Sequence, residues 1–418
     1  MKWVFWISVG TILYTYLGYP LILYVRSRWS ARPVRSAPIL PSISIIVAAH
    51  NEAHTLPDKL HNLLQMDYPQ DRLEVVVVSD GSTDGTNELL SQRVDGKLLA
   101  FILPEHKGKA IALNRGIEAA RGEVLVFTDA RQRIEENALK CLTADLADPE
   151  VGCVSGELML ARAKQEPGEG AGLYWRMEKK IRRWESLSGS VVGATGALYA
   201  ARRSLVVPLP EGILLDDVYI PMHVARQGAR VVFEPEARVW DSLPASLGQE
   251  FRRKIRTLTG NYQMLQSVSW LLSPSNPVLF RFVSHKLLRL AVPFALAGVF
   301  GSSLLLHASV YKLAMLTQLI FYGFGLLGLA HPWLGFASRP ANAVLTFLTL
   351  NAAALVAFLN FVTGKKPVWE SLDTRTEFSQ FRLPGLDASR DPMTAEMQAP
   401  GKRECDEVAT ANGSHGQT

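Results

Sequence analysis

The stretch from 42 to 84 constrains this chain more than any other. It reads Ser-Ile-Ser-Ile-Ile-Val-Ala-Ala-His-Asn-Glu at 42–52 and Leu-Glu-Val-Val-Val-Val-Ser-Asp-Gly-Ser-Thr-Asp at 73–84. Each half is an apolar, β-branched run that stops abruptly at polar residues. Such runs, at 43–47 and 75–78, suit strands buried on both faces of a parallel sheet. Between them Leu56, Leu60, Leu63 and Leu64 keep helical spacing, so the unit is strand–helix–strand. Ligands of open α/β sheets bind beyond the carboxyl ends of the strands. That places His50, Asn51, Glu52, Asp80, Gly81 and Asp84 on one rim.

The alternation runs on to about residue 262. Strands are expected at 98–103 and at 124–128, the second ending at Asp129, with a helix over 107–121 between them. A helix over 135–146, a short strand at 151–155 and an amphipathic helix from about Tyr174 follow. The expected fold is α/β, a mostly parallel sheet with helices on both faces.

Composition matters for what flanks this domain. Hydrophobic residues make up 48% of the chain and mean hydropathy is +0.09, and the apolar excess sits at the two ends. Residues 3–25 carry no charge and are long enough to cross a bilayer, so 1–28 reads as an anchor rather than a cleaved signal. Arg26, Arg28, Arg32 and Arg35 follow, which predicts an outside N-terminus and a cytoplasmic domain over 40–262. Residues 263–289 read as interfacial amphipathic helices with Arg281, His285, Lys286 and Arg289 on the polar face. Uncharged stretches at about 290–310, 313–331 and 341–363 predict transmembrane helices over 290–363, and 364–418 reads as a polar, disordered tail. Four spans from an outside start would leave the tail outside, whereas Lys365 and Lys366 favour the cytoplasm; the sequence leaves the two in conflict. The net charge of +5 collects beside the apolar segments, a pattern for membrane lipids and the inner (plasma) membrane rather than nucleic acid. Three cysteines, Cys141, Cys153 and Cys405, have no metal-ligand spacing and fit a reducing compartment.

Four ordered motifs then carry a resemblance. Ala-Ala-His-Asn-Glu at 48–52, Ser-Asp-Gly-Ser-Thr-Asp-Gly-Thr at 79–86, Lys-Gly-Lys-Ala at 107–110 with Leu-Asn-Arg-Gly at 113–116, and Phe-Thr-Asp at 127–129 resemble family 2 glycosyltransferases. These are inverting enzymes of the GT-A fold, and the membrane-bound branch includes cellulose, chitin and hyaluronan synthases. The resemblance implies a nucleotide-sugar donor, a glycan or lipid-linked acceptor, and export or assembly subunits as further partners. It implies donor binding by Ala49, Glu52, Asp80, Lys107, Lys109 and Asp129. Asp84 reads equally well as the cap of a helix starting near Gly85, and the two lysines also read as a solvated basic turn.

Asp129 matches the first acid of the family's Asp-x-Asp metal motif, but the sequence continues Ala130-Arg131. One carboxylate and a diphosphate can still hold Mg²⁺ or Mn²⁺, and Arg131 can itself oppose phosphate charge. The resemblance assigns the general base to Asp217, the second acid of Asp216-Asp217, and the acceptor-side loop to Gly193 and Gly196 with Asp216. The two acids also read simply as favourable charge at a helix N-terminus. Arg253 and Arg256 lie where processive synthases carry Gln-x-x-Arg-Trp; the tryptophan is absent. That segment suits diphosphate recognition or a basic helix along the membrane surface. A non-catalytic membrane scaffold is the competing class, and within the enzyme class single-sugar transfer to a polyprenyl-phosphate lipid competes with polysaccharide synthesis.

Overall fold

The computed structural model describes residues 1–92, 98–161, 169–242, 247–328 and 338–365. Its eight strands are β1 (Ile43–Ala49), β2 (Leu73–Asp80), β3 (Leu98–Leu103), β4 (Val124–Phe127), β5 (Arg133–Ile134), β6 (Val151–Ala161), β7 (Tyr199–Arg202) and β8 (Arg230–Ser242). They form one sheet in the order β3-β2-β1-β4-β7-β6-β8-β5. The β3-β2-β1-β4 half is parallel throughout, as the apolar runs require. Past β4 the sheet mixes: β7 runs antiparallel to both β4 and β6, while β6 and β8 are parallel.

Alternation along β1 and β2 divides two apolar layers. Ile45, Val47, Val75 and Val77 face a layer with Leu56, Leu60 and Leu63, whereas Ile46, Ala48, Val76 and Val78 face one with Ala112 and Leu113. Each such buried side chain contributes about 1.5–3 kcal/mol. Gly116 sets the second spacing, because a Cβ there would lie 2.6 Å from Ile46 Cγ2. The reversed β7 returns the chain beside β4, where the Thr128 hydroxyl donates to the Ala197 carbonyl at 2.8 Å. This pairing brings the glycine-rich segment 193–198 next to Asp129.

Four helices are long and apolar enough to cross a membrane: Lys2–Trp29, Leu279–Leu305, Ser309–Leu327 and Pro340–Val362. The second replaces the break expected at 289 with one continuous helix. Two of the polar residues expected to face water, His285 and Arg289, instead meet acids of the helix Glu169–Leu187. His285 contacts Glu185 at 2.8 Å and Glu178 at 3.1 Å, Arg289 donates to Glu178 at 2.8 Å, and the Tyr19 hydroxyl donates to Glu185. Buried charges are tolerated when paired in this way, so the helix need not unwind to reach solvent. The helix Leu247–Ser267 likewise runs past the expected boundary at 262.

The last helix, Ser338–Val362, has an unusual course. Phe5, Val299 and Tyr311 meet at the end of the bundle far from the sheet. Leu290, Ala357 and Tyr262 meet at the end beside it. Gly325, fourteen residues beyond Tyr311 and so about 21 Å along its helix, packs on Val344 and Leu348, and Gly328 on Ala341. Both halves of the last helix therefore lie at the sheet-side level. Phe358 and Phe361 stack there on Tyr262, with ring centroids 5.7 and 5.5 Å apart. The expected tail lies outside the described residues from 366 onward.

Candidate active site

The rim expected at the strand ends is present. Asn51 takes the left-handed conformation, φ 56°, and its side-chain oxygen accepts the Thr83 amide at 2.8 Å. Asp84 bridges the two strand-end loops, accepting the amides of Ala53 at 2.9 Å and Thr86 at 3.1 Å. Burial opposes its ionisation, but these hydrogen bonds keep its pKa below the ordinary carboxylate value. Its role is that of a brace and helix cap. Asp80 is wholly buried, and its two oxygens accept the amides of Lys107 and Gly108, both at 2.8 Å. It holds the 105–108 loop. Gly81 permits the approach, since a Cβ there would fall 2.2 Å from the His106 nitrogen.

Sequence reading missed what the rim presents to solvent. The imidazoles of His50 and His106 stack with centroids 3.9 Å apart. His50 Nδ1 lies 2.6 Å from the Asp80 carbonyl oxygen, and His106 Nδ1 lies 2.8 Å from its carboxylate. The ligand atoms of this trio are close enough to hold a cation, although hydrogen bonds account for each contact. Ala49 is buried at the end of β1, and Glu52 is half-buried and bonded to the Thr55 hydroxyl. Burial raises the Glu52 pKa.

A chain of charge joins the two halves of the sheet. Lys109 opens the helix Lys109–Ala119, and its Nζ bridges Asp129 Oδ1 at 2.9 Å and Asp216 Oδ1 at 3.0 Å. Burial opposes each ion. Even so, Lys109, Arg131 and Arg256 hold the Asp129 pKa well below its ordinary value, and the two acids raise that of Lys109. Asp216 is fixed a second time by the Tyr199 hydroxyl at 3.2 Å. Lys107 contributes its backbone amide, not its charge, to this region.

Behind Asp129 stands an acid that the sequence reading did not single out. Asp241, near the end of β8 and almost fully buried, gathers Arg131 at 3.3 Å, Gln132 at 3.2 Å and Arg253 at 3.6 Å. Its signal in the sequence was slight, an acid directly after Val239-Trp240. Arg131, in place of a second metal-motif acid, therefore has a carboxylate partner of its own. Its Nε is buried without an acceptor among the described residues. Lys59 lies beneath, fully buried, donating to Thr128 Oγ1 and the Gln132 carbonyl at 2.8 Å each. Burial lowers its pKa to about 7. Arg253 and Arg256, three apart on the helix Leu247–Ser267, share a face: one reaches Asp241, and the other acts on Asp129.

Asp217 differs from its neighbour. Its main-chain carbonyl accepts the Ala194 amide at 2.7 Å, which ties it to the glycine segment. Among the described residues nothing donates a hydrogen bond to its half-buried carboxylate. Burial, then the adjacent Asp216 charge, push its pKa up to about 6 against the pull of Lys109. Gly196 lies directly against it, where a Cβ would be 2.9 Å from Asp217 Oδ2. Gly193, at φ 120°, lies beside Val218 and the Asp217 carbonyl. The arrangement thus sets one carboxylate able to accept a proton beside a cation-rich pocket suited to a polyanion.

Comparison with known proteins bears on the domain and its fold. Residues 44–207 match the model described as "Glycosyl transferase family 2", and they form such a domain. The chain is 26% identical over 268 residues to the poly-beta-1,6-N-acetyl-D-glucosamine synthase of Staphylococcus aureus (strain COL), covering 63% of each chain. To the synthase of the same name from Staphylococcus epidermidis it is 25% identical over 276 residues, covering 64% of each. The chain thus spans slightly under two thirds of the length of these curated relatives. The solved mannosyltransferase PcManGT from Pyrobaculum calidifontis, in complex with GDP-Man and Mn²⁺, superposes with a TM-score of 0.66 at 25% identity, over 87% of this chain and 99% of that one. The α/β sheet is therefore of the GT-A type.

Proposed function

We propose that this chain, which carries a glycosyl transferase family 2 domain, is a membrane-anchored inverting glycosyltransferase. It moves a sugar from a nucleotide-sugar donor, with UDP as the expected nucleotide, to a polysaccharide or glycolipid acceptor. The observation that carries this reading is the Asp217 carboxylate, free of hydrogen bonds among the described residues, beside the Asp129–Lys109–Asp216 chain. Donor binding is assigned to the rim of Ala49 and Glu52, to the loop that Asp80 holds through Lys107, and to Asp129, Arg253 and Arg256. Asp217 takes the proton of the acceptor hydroxyl. The freed oxygen forms its bond to the anomeric carbon from the face opposite the diphosphate, whose bond to that carbon breaks, and configuration inverts. The charges of Arg131 and Arg256, both felt at Asp129, oppose the charge that gathers on the departing diphosphate.

A divalent cation fits at Asp129. Only Oδ1 of that carboxylate is taken by Lys109 among the described residues, and Mg²⁺ or Mn²⁺ is commonly held by one or two carboxylates together with substrate phosphates. When bound there, the ion would neutralise diphosphate charge. The test is nucleotide release by the full chain in nanodiscs from a panel of UDP- and GDP-sugars. Release from one donor, lost on chelation and restored by Mn²⁺ or Mg²⁺, is the expected result. Indifference to chelation would assign the ion's part to Arg131, and a chain that neither binds nor turns over any donor would be a scaffold. Sizing the product separates polymer from single addition. The absent tryptophan after Arg256 favours single-sugar transfer to a polyprenyl-phosphate lipid as the second reading.

The same base sets a pH dependence. With Asp217 titrating near 6, kcat/KM is expected to fall about tenfold per pH unit below that value and to be level above it. A profile flat down to pH 5 would remove Asp217 from the role. Gly196→Ala is expected to lower the rate by roughly 10- to 100-fold with the donor Kd unchanged, because the added methyl displaces the Asp217 carboxylate. Activity retained within twofold would show that the carboxylate has room to move.

For topology, three helices cross, and the last lies along the domain-side leaflet. An outside N-terminus then leaves both the 40–262 domain and Lys365 in the cytoplasm. This removes the conflict between span count and tail charge.

A further inference from the structure

At the end of the sheet away from Asp129 lies a cavity of about 800 Å³. It opens where β7 ends, where β6 and β8 begin, and where the anchor helix Lys2–Trp29 and the helix Leu279–Leu305 reach the domain, at Leu23 and Phe280. Five arginines line it, Arg26, Arg32, Arg202, Arg230 and Arg281, against a single acid, Glu150. That acid is half exposed and paired with Arg32 at 2.9 Å.

The deeper guanidiniums are held in place by carbonyl and hydroxyl oxygens, and among the described residues none of the three is within ion-pair distance of an acid. Arg202 donates to the carbonyls of Val151 at 2.8 Å and Leu146 at 2.6 Å. Arg230 donates to those of Arg32 at 2.7 Å and Ser186 at 3.1 Å. Arg281 donates through Nη2 to Ser188, and Gly189 makes room for it, since a Cβ there would lie 2.4 Å from Arg281 Nη1. Among the described residues each of the three leaves its Nη1 without a hydrogen bond, and Arg26 has no acid at ion-pair distance. Buried carboxylates nearby already have partners: Glu185 is engaged by His285 and Tyr19, Asp148 by Arg35, and Asp145 by the Ser36 hydroxyl. Carbonyls orient a guanidinium but carry no countercharge, so the pocket is a preformed seat for an anion.

We propose that this cavity binds a phosphate-bearing anion at the membrane surface, from a lipid headgroup or from a soluble phosphate. Planar, permanently charged arginines match phosphate geometry. The position, at the domain-side ends of two apolar helices, is where anionic headgroups concentrate. A bound phosphate would join both helices to the β6–β8 edge through a single counterion.

The test is the thermal unfolding midpoint of the full chain in detergent, with short-chain phosphatidylglycerol, short-chain phosphatidylcholine or inorganic phosphate added. Phosphatidylglycerol is expected to raise the midpoint by roughly 2–4 °C, phosphatidylcholine to leave it unchanged, and added salt to weaken the effect. A rise with inorganic phosphate as well identifies a soluble anion as sufficient; a rise with phosphatidylglycerol alone identifies the lipid. The double variant Arg26→Gln with Arg32→Gln, both solvent-facing, should lose most of the shift while folding normally, and Arg281→Gln should lose it through the deep contact. No shift with either phosphate source, or a shift that survives in these variants, overturns the proposal.

Discussion

Replacing Asp217 with asparagine is expected to reduce sugar transfer by about 10²- to 10⁴-fold while leaving nucleotide binding intact, a range typical for removal of a general base. The substitution is nearly isosteric, and the main-chain bond from Ala194 to the Asp217 carbonyl is unaffected by it. What disappears is the one property that distinguishes Asp217 from Asp216, a carboxylate that no described hydrogen bond occupies. Nucleotide release measured beside donor binding by calorimetry separates the two effects. Transfer within tenfold of the parent would exclude Asp217 as the base. Asp216→Asn should behave differently. It removes a partner from both Lys109 and Tyr199, and its damage should appear in stability as well as rate.

Lys109→Met is expected to abolish transfer and to destabilise the domain by roughly 2–4 kcal/mol. Removing one member of a buried ion pair costs about 3–5 kcal/mol, and the partial exposure of this lysine and of Asp129 reduces that figure. The variant leaves the Asp129 and Asp216 carboxylates in one pocket without the cation between them. Lys109→Arg should recover much of the stability and little of the rate, because its fork cannot copy a point charge set at 2.9 and 3.0 Å from two acids. Thermal unfolding and nucleotide release on the same preparations check both parts. A Lys109→Met protein that melts with the parent would show that the bridge does not hold the two halves together.

The strand–helix–strand unit was legible because periodicity and strand-end residues are local. Val75 and its neighbours form a buried strand wherever that sheet is built, and the position of Asp80 at its end follows. The use made of Asp80 was not legible. Its oxygens hold the amides of residues 107 and 108, a contact across 27 positions that no spacing records. The same holds for Asp241, whose significance comes from what it gathers: the Arg131 cation and the Gln132 amide from a segment about 110 positions earlier and the Arg253 cation from the next helix. Hydropathy likewise measured how apolar 341–363 is, but not its direction. The orientation depends on Gly325 and Gly328 receiving its first half and on Tyr262 receiving its second. His285 and Arg289 were read as an interfacial face because their partners, Glu178 and Glu185, lie a hundred or more positions away.

That last helix gives the lipid phase a mechanical role. It rests through Phe358 and Phe361 on Tyr262 of the basic helix Leu247–Ser267. Two residues earlier, Gly260 presses so closely on Leu215 that a Cβ would come within 2.6 Å of its Cγ. Leu215 immediately precedes Asp216 and Asp217. Two layers of side chains thus separate the leaflet from the acids of the site, and neither contains a flexible loop. On the proposed topology, lateral pressure and acyl-chain length would become loads on the site, and bilayer thickness would join pH and donor concentration among the variables that set its rate.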